Sequence, residues 1–138
     1  MSGPPGTDDV TAPRPEPDAD SRAFWDELAA HRIVLQRCAA CRRRRFPPVP
    51  SCPYCADPES ILEQVVGSGR VYSFVVVHRA FDPAFAADVP YTVATVDLDG
   101  GGRVAGRLEG VPAVNATVAP TFVDHPGWTE LRFRVVGG

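Results

Sequence analysis

The chain has 138 residues, of which 44% are hydrophobic and 9% aromatic, enough for one modest core or one domain with a small module attached. Fourteen basic residues, all arginine, against seventeen acidic ones leave a formal charge of −3. That balance excludes the chain-wide basic footprint of a nucleic-acid binder. No apolar run approaches the roughly 18 residues of a spanning helix.

Residues 1–19 hold five prolines and four acidic residues with almost no large apolar side chains. Such a segment cannot bury enough surface to offset its ordering entropy, so a disordered tail is expected. The start, Met1-Ser2-Gly3-Pro4-Pro5-Gly6, lacks the basic and apolar regions of a secretory signal. The expectation is a cytoplasmic chain with reduced thiols.

From Asp20 or Ser21, either a plausible N-cap, the pattern is helical through about His31. Phe24, Leu28 and His31 share one face, with Trp25 and Ala29 beside them, and that stripe could pack on its own domain or on a partner. Ile33–Gln36 reads as a short strand leading into the cysteines.

All four cysteines stand in two pairs, Cys38-Ala-Ala-Cys41 and Cys52-Pro-Tyr-Cys55. Two residues between thiolates let both sulfurs meet one ion from a tight turn, and two such turns complete the tetrahedral shell that structural zinc prefers. A redox pair would need a helix opening at the motif. Pro47, Pro48, Pro50 and Pro53 argue against one. Catalytic zinc keeps an open position, whereas four thiolates leave none. The spacing therefore predicts a structural Zn2+ on Cys38, Cys41, Cys52 and Cys55.

Arg42–Arg45 put four consecutive cations beside that ion. They can offset the negative charge of a four-thiolate zinc site, or their planar forks can take phosphate oxygens.

Strands are expected over Ile61–Val66, Arg70–Arg79, Tyr91–Leu98, Arg103–Glu109, Val114–Val123 and Thr129–Val136, with glycine-rich turns at 67–69 and 100–102. Short turns and no intervening helices suit a small closed barrel of the OB type, with an SH3-like barrel or an open sandwich as alternatives. The organisation is thus a tail over 1–19, a helix and ribbon over 20–60, and a barrel over 61–138. The link Ala80–Pro90 carries Phe81 and Phe85, bulky groups that either fold back on the core or meet a partner.

Reactive constellations are missing from the pattern: no cysteine is left over, and His31, His78 and His125 lie apart with no motif around them. Neither Ser68 nor Ser73 has a nucleophile-elbow setting. The residues offer no catalytic set of their own.

The ordered combination resembles the family named for domain of unknown function 35 (DUF35). The resemblance rests on Phe24-Trp25-Asp26-Glu27-Leu28, the ribbon with Phe46-Pro47-Pro48 and Cys52-Pro53-Tyr54-Cys55, Gly69-Arg70-Val71-Tyr72-Ser73-Phe74, and Pro90-Tyr91 before the strand ending Asp97-Leu98. Two positions depart from the pattern: Arg42 replaces a glycine after the second cysteine, and Val114-Asn115-Ala116 replaces a glycine-bearing turn.

The resemblance implies a rubredoxin-like zinc ribbon followed by an OB-fold. It further implies a non-catalytic accessory subunit that binds a thiolase-like aldolase or thiolase, as in steroid side-chain degradation, and helps form its acyl-CoA site. An α2β2 heterotetramer is the expected assembly, and a hot-dog-fold enoyl-CoA hydratase is the alternative partner. On this reading Phe24, Trp25, Phe81, Phe85 and Tyr91 face the partner, and Arg43 and Arg45 hold CoA phosphates. A single-stranded nucleic-acid module is the competing class, since ribbons and OB-folds both serve it.

Overall fold

A computed structural model describes residues 14–80 and 82–137. Chain order is helix α1 (Arg22–Ala29), strands β1 (Ile33–Cys38), β2 (Arg44–Arg45), β3 (Ser60–Val65) and β4 (Gly69–Val77), a 3-10 turn (Pro83–Phe85), then β5 (Tyr91–Leu98), β6 (Arg103–Glu109), β7 (Thr117–His125) and β8 (Trp128–Val135). Among the described residues no helix is long and apolar enough to cross a membrane.

Helix α1 is only eight residues long, too short to stand on propensity, so its ends and its packing hold it. The effective cap lies one turn before the regular helix. Asp18 Oδ1 accepts from the Ser21 N–H at 2.8 Å, while Ser21 Oγ accepts from the Asp18 N–H at 3.0 Å. This reciprocal arrangement satisfies two otherwise orphaned donors, and the backbone N–H of Arg22 then bonds Asp18 O. At the far end, His31 N–H bonds Leu28 O and Arg32 N–H bonds Glu27 O, a Schellman closure with His31 at φ 60 in the left-handed seat.

Two sheets follow. The ribbon sheet has the order β2-β1-β3, and the closed barrel has the order β4-β5-β6-β8-β7. The expected mainly-β class and OB-type barrel are both present. The strand beginning at Ile61, grouped with the barrel from sequence, pairs instead with β1 from Ile33↔Val65 to Cys38↔Ser60. Its apolar residues explain the difference. Ile61 and Leu62 stay half exposed, and only Val65 enters the core. The strand is held by its backbone ladder to the ribbon, and the barrel closes with five strands.

One continuous core joins the two parts: Phe24 and Leu28 from α1, Ile33 and Leu35 from β1, and Val71, Val96, Val104, Val118 and Phe133 from the barrel. The helix touches both β1 and β8, so it lies across the junction. Gly69 lets β4 lie close against β5, since a Cβ there would overlap the Asp97 carbonyl oxygen.

Candidate metal centre and the surfaces around it

The two cysteine turns repeat one backbone pattern. Cys38 N–H bonds Arg43 O at 2.9 Å and Arg42 N–H returns to Cys38 O at 3.1 Å; Cys52 N–H bonds Asp57 O at 2.9 Å and Ala56 N–H returns to Cys52 O at 2.8 Å. The fourth residue after the first cysteine is left-handed in both turns, with φ 70 at Arg42 and at Ala56. This seat normally favours glycine, which explains why a glycine is expected where Arg42 stands.

The turns converge their sulfurs. Cys38 Sγ lies 3.5 Å from Cys55 Sγ and Cys41 Sγ 3.6 Å from Cys52 Sγ, with all four within 4.8 Å of one another. Four sulfurs about 2.3 Å from a tetrahedral ion stand roughly 3.8 Å apart, so this set fits zinc. The backbone favours thiolate here. The Cys41 N–H, 3.4 Å from Cys38 Sγ, holds the Cys38 thiol below its ordinary value. Burial pushes Cys52 up, but the N–H groups of Tyr54 and Cys55 outweigh it and bring the thiol to about 6. The Asp57 N–H pulls Cys55 down, yet the neighbouring sulfurs, Cys38 first, lift it to about 11. Holding all four sulfurs as thiolates at this spacing needs a cation between them.

The arginine run divides its work. Arg44 Nε bonds Glu63 Oε1 at 2.7 Å, and its Nη1 reaches the carbonyls of Gly101 at 2.9 Å and Asp99 at 3.3 Å. Arg37 makes a two-pronged bond to Glu63 at 3.1 Å per arm. Arg44, then Arg37, holds the Glu63 carboxyl below its usual range. Arg45 is 3% exposed and donates to Gln36 Oε1 at 3.0 Å and Val49 O at 3.3 Å. Its expected role as a phosphate ligand is therefore corrected: the guanidinium lies inside the ribbon, where it braces the Pro-rich connection. Arg42 and Arg43 are exposed, and Arg43 lies 4.7 Å from the centre of the Tyr54 ring.

A cleft of about 600 Å³ opens between ribbon and barrel, lined by Arg42, Arg43, Arg44, Arg103, Tyr54 and the Gly100–Gly102 turn. The three glycines all have positive φ, and nothing lies within 4 Å of a Cβ placed on Gly101. From sequence they are hairpin glycines only. Their place beside the arginines depends on how the barrel docks on the ribbon, and no local signal announces it.

The aromatic residues also separate. Phe24 is 6% exposed, with its ring 5.3 Å from Phe46, so the expectation that it faces a partner is corrected: it is a core residue. Trp25 is half-buried, edge-on to Trp128 at 6.1 Å. Phe81 lies outside the described residues. Phe85 and Tyr91 are half-buried with ring centres 6.1 Å apart, and Arg107 sits 4.1 Å over Tyr91 while pairing with Asp88 at 3.1 Å. These contacts fasten the link onto the barrel. Tyr72, Val75 and Val76 of β4 are exposed at 50%, 61% and 41%. Their run of β-branched residues reads as a covered strand, and only the tertiary structure leaves it open.

A four-cysteine ribbon fused through one core to a five-stranded OB barrel defines a class of two-part ribbon-and-barrel proteins. The chain matches the family profile of the ChsH2 rubredoxin-like zinc ribbon domain over residues 25–59 and that of the ChsH2 C-terminal OB-fold domain over 62–123. It is 33% identical over 107 residues, 74% of the relative's length, to a DUF35 domain-containing scaffold protein of Methanothermobacter thermautotrophicus. The chain belongs to the DUF35 family.

It is also 44% identical over 100 residues to a probable enoyl-CoA hydratase alpha subunit of Thermomonospora curvata. A second relative, the 3-oxo-4,17-pregnadiene-20-carboxyl-CoA hydratase alpha subunit of Mycobacterium tuberculosis, is 37% identical over 122 residues. The matches cover 72% and 84% of this chain but only 30% and 38% of those relatives, so the chain spans about a third of their length. Among solved structures, a chain of the Ltp2-ChsH2(DUF35) aldolase superposes with a TM-score of 0.76 at 34% identity, over 88% of this chain and 98% of that one. A DUF35-family protein of unknown function from Sulfolobus solfataricus, at 19% identity and a TM-score of 0.64 over 93% of this chain and 89% of that one, shares the fold.

Proposed function

We propose that the chain is the scaffold component of an acyl-CoA-processing assembly, docking on a thiolase-like aldolase subunit that supplies the catalytic groups. The observation that carries this reading is the similarity to the DUF35 chain of the Ltp2-ChsH2(DUF35) aldolase, which extends over 98% of that chain at 34% identity. On this reading zinc fixes the ribbon, and the shared core holds ribbon and barrel in register. Trp25, Phe85 and Tyr91, each half-buried, meet the enzyme subunit in an α2β2 assembly. The steroid-derived acyl-CoA in the name of the mycobacterial relative supports a bulky acyl-CoA as substrate of the complex.

The cleft between ribbon and barrel is the place for CoA phosphates. Arg42 and Arg43 form no ion pair among the described residues, and the open glycine turn lets phosphate oxygens approach the backbone. Arg43 keeps the role expected from sequence, and Arg42 takes the place of the buried Arg45.

Co-expression with a thiolase-like aldolase subunit tests the reading. Co-elution, with retro-aldol activity on an acyl-CoA that neither protein shows alone, is expected. Separate elution with unchanged activity of the partner would overturn it. The hydratase alpha-subunit names of two relatives favour a second reading, in which the same domain serves a hot-dog-fold hydratase. Co-elution with that enzyme in place of the aldolase would select it.

A further inference from the structure

Strand β4 is paired along its whole length on one side only. Toward β5 its ladder runs from Gly69↔Leu98 to Val77↔Tyr91. Toward β7 it pairs only through Gly69↔Val118 and Arg70↔Thr117. The backbone of Val71 then exchanges bonds with Ala116 O and Asn115 N–H, and β7 pairs with β8 over eight residues, from Val118↔Val135 to His125↔Trp128. Beyond Val71, among the described residues, no strand lies on that side of Tyr72–Val77. Counting from Val71, whose N–H and C=O both face this side, and allowing for the extra residue at the bulge between Val71 and Ser73, the outward-facing peptide groups are those of Phe74 and Val76.

Folded proteins usually blunt such an edge with proline, buried charge or a covering segment. Here Tyr72-Ser-Phe-Val-Val-Val77 contains no proline and no charge, and Tyr72, Val75 and Val76 are exposed. Among the described residues, the bulge between Val71 and Ser73 is the blunting device the sheet itself supplies. An uncharged, β-branched edge with free peptide groups is a template for strand addition. Charge selects the occupant. Exposed arginines bracket the stretch, Arg70 before it and Arg79 after it, and among the described residues the Arg70 side chain donates to the Asn115 carbonyl at 3.3 Å. A second copy added antiparallel would bring its own bracketing arginines against these, and like charges across strands are destabilising.

We propose that the β4 edge over Tyr72–Val77 is a docking site for an extended strand of a different polypeptide, apolar in its middle and acidic at its ends. The inference rests on the scaffold reading only in requiring a protein partner, and it does not depend on which enzyme that partner is.

The test uses the full chain, 15N-labelled, and a peptide of about seven residues alternating valine and threonine with glutamate at each end, a length matched to the exposed edge. Saturable binding is expected, with the largest amide shifts at Phe74 and Val76. N-methylation of the peptide on its bonding side should abolish binding, and N-methylation on the other side should leave it intact. A lysine-ended peptide should bind about fivefold more weakly, the effect of a cross-strand charge pair worth about 1 kcal/mol. Val76→Pro, which removes an outward N–H without touching the β5 ladder, should lose binding. Val75→Glu, which keeps every peptide group, should weaken it if the proline variant fails to fold. Absence of saturable shifts, equal binding of the lysine-ended peptide, or full binding by a folded Val76→Pro each overturns the proposal. Co-elution of Val76→Pro with the enzyme subunit is scored separately. A complex retained by that variant overturns the edge as the docking site and leaves the scaffold reading intact. Wild-type chain that binds the peptide but no enzyme subunit removes the scaffold reading alone.

Discussion

Arg44 of the ribbon donates to the Gly101 carbonyl of the barrel at 2.9 Å. Its Nε is held at the same time by Glu63 at 2.7 Å, so one 11%-exposed side chain ties β2, β3 and the β5–β6 turn together. Replacing it by an apolar side chain of similar reach, Arg44→Met, leaves two barrel carbonyls without their donor and Glu63 with Arg37 alone. A loss of about 1.5–3 kcal/mol is expected, the range for hydrogen bonds to charged groups. Urea unfolding followed by fluorescence of the two tryptophans measures it. An unchanged midpoint would show that the clamp contributes nothing net.

Glu63 makes part of that clamp pH-dependent. Its folded pKa lies below the ordinary 4.5 because Arg44 and Arg37 favour the carboxylate. A depressed carboxylate contributes stability that is complete above its unfolded value and is lost as pH falls through the folded one. The stability of the wild type should therefore decline below about pH 4.5 more steeply than that of Glu63→Gln. Thermal melts of both proteins from neutral to acid pH, with the metal held saturating, compare the slopes. Parallel slopes would remove Glu63 from the account.

Two left-handed residues should respond oppositely to glycine. Ala56, at φ 70, is exposed, so its methyl has little burial to lose. Relief of left-handed strain, about 1–2 kcal/mol, exceeds the entropy cost of glycine in the unfolded chain, about 0.4–1 kcal/mol. Ala56→Gly should stabilise. His31, at φ 60, stacks on Phe122 at 4.7 Å and bonds Asp124 at 3.0 Å through Nε2. An aromatic pair is worth about 0.5–1.5 kcal/mol, so His31→Gly forfeits as much as it relieves and then pays the entropy. His31→Gly should destabilise. Melting temperatures shifting in the same direction would sink the argument.

Removing the ion should unfold the ribbon before the barrel. Structural zinc contributes about 10–16 kcal/mol to isolated zinc modules at neutral pH, far more than this small sheet gains from burying Val65 and part of β1. One zinc per chain is expected by elemental analysis, and none after Cys52→Ser and dialysis against chelator. Amide exchange should then quicken in β1–β3 while the strands around Val96 and Phe133 stay protected. Uniform unfolding of both parts would mean that the shared core makes them one cooperative unit.

Leu28 tests that shared core directly. It is fully buried where α1 crosses from ribbon to barrel, so Leu28→Ala should cost about 2–5 kcal/mol. Calorimetry should report the loss as a lower melting temperature. A change below about 1 kcal/mol would place the helix outside the cooperative fold.

The metal shell was legible because its instructions are local. Spacing within each pair sets the turn, and the chemistry of sulfur sets the ligand. The barrel was legible in part for a similar reason, since alternation and turn glycines mark strands wherever they pair. Partnership was not legible. Ile61–Val65 has the pattern of any strand, and only the long-range ladder to β1 assigns it to the ribbon.

By itself, the sequence determined four thiolates in two equivalent turns, an aromatic helix and a barrel's worth of strands. The tertiary structure decided the fate of side chains that look alike in one dimension. Arg43 faces the cleft while Arg45, two residues on, is sealed behind Gln36 and Val49. Phe24 enters the core while Trp25, its neighbour, stays at the surface. Burial is a property of what packs against a residue, and those neighbours are brought by segments tens of positions away.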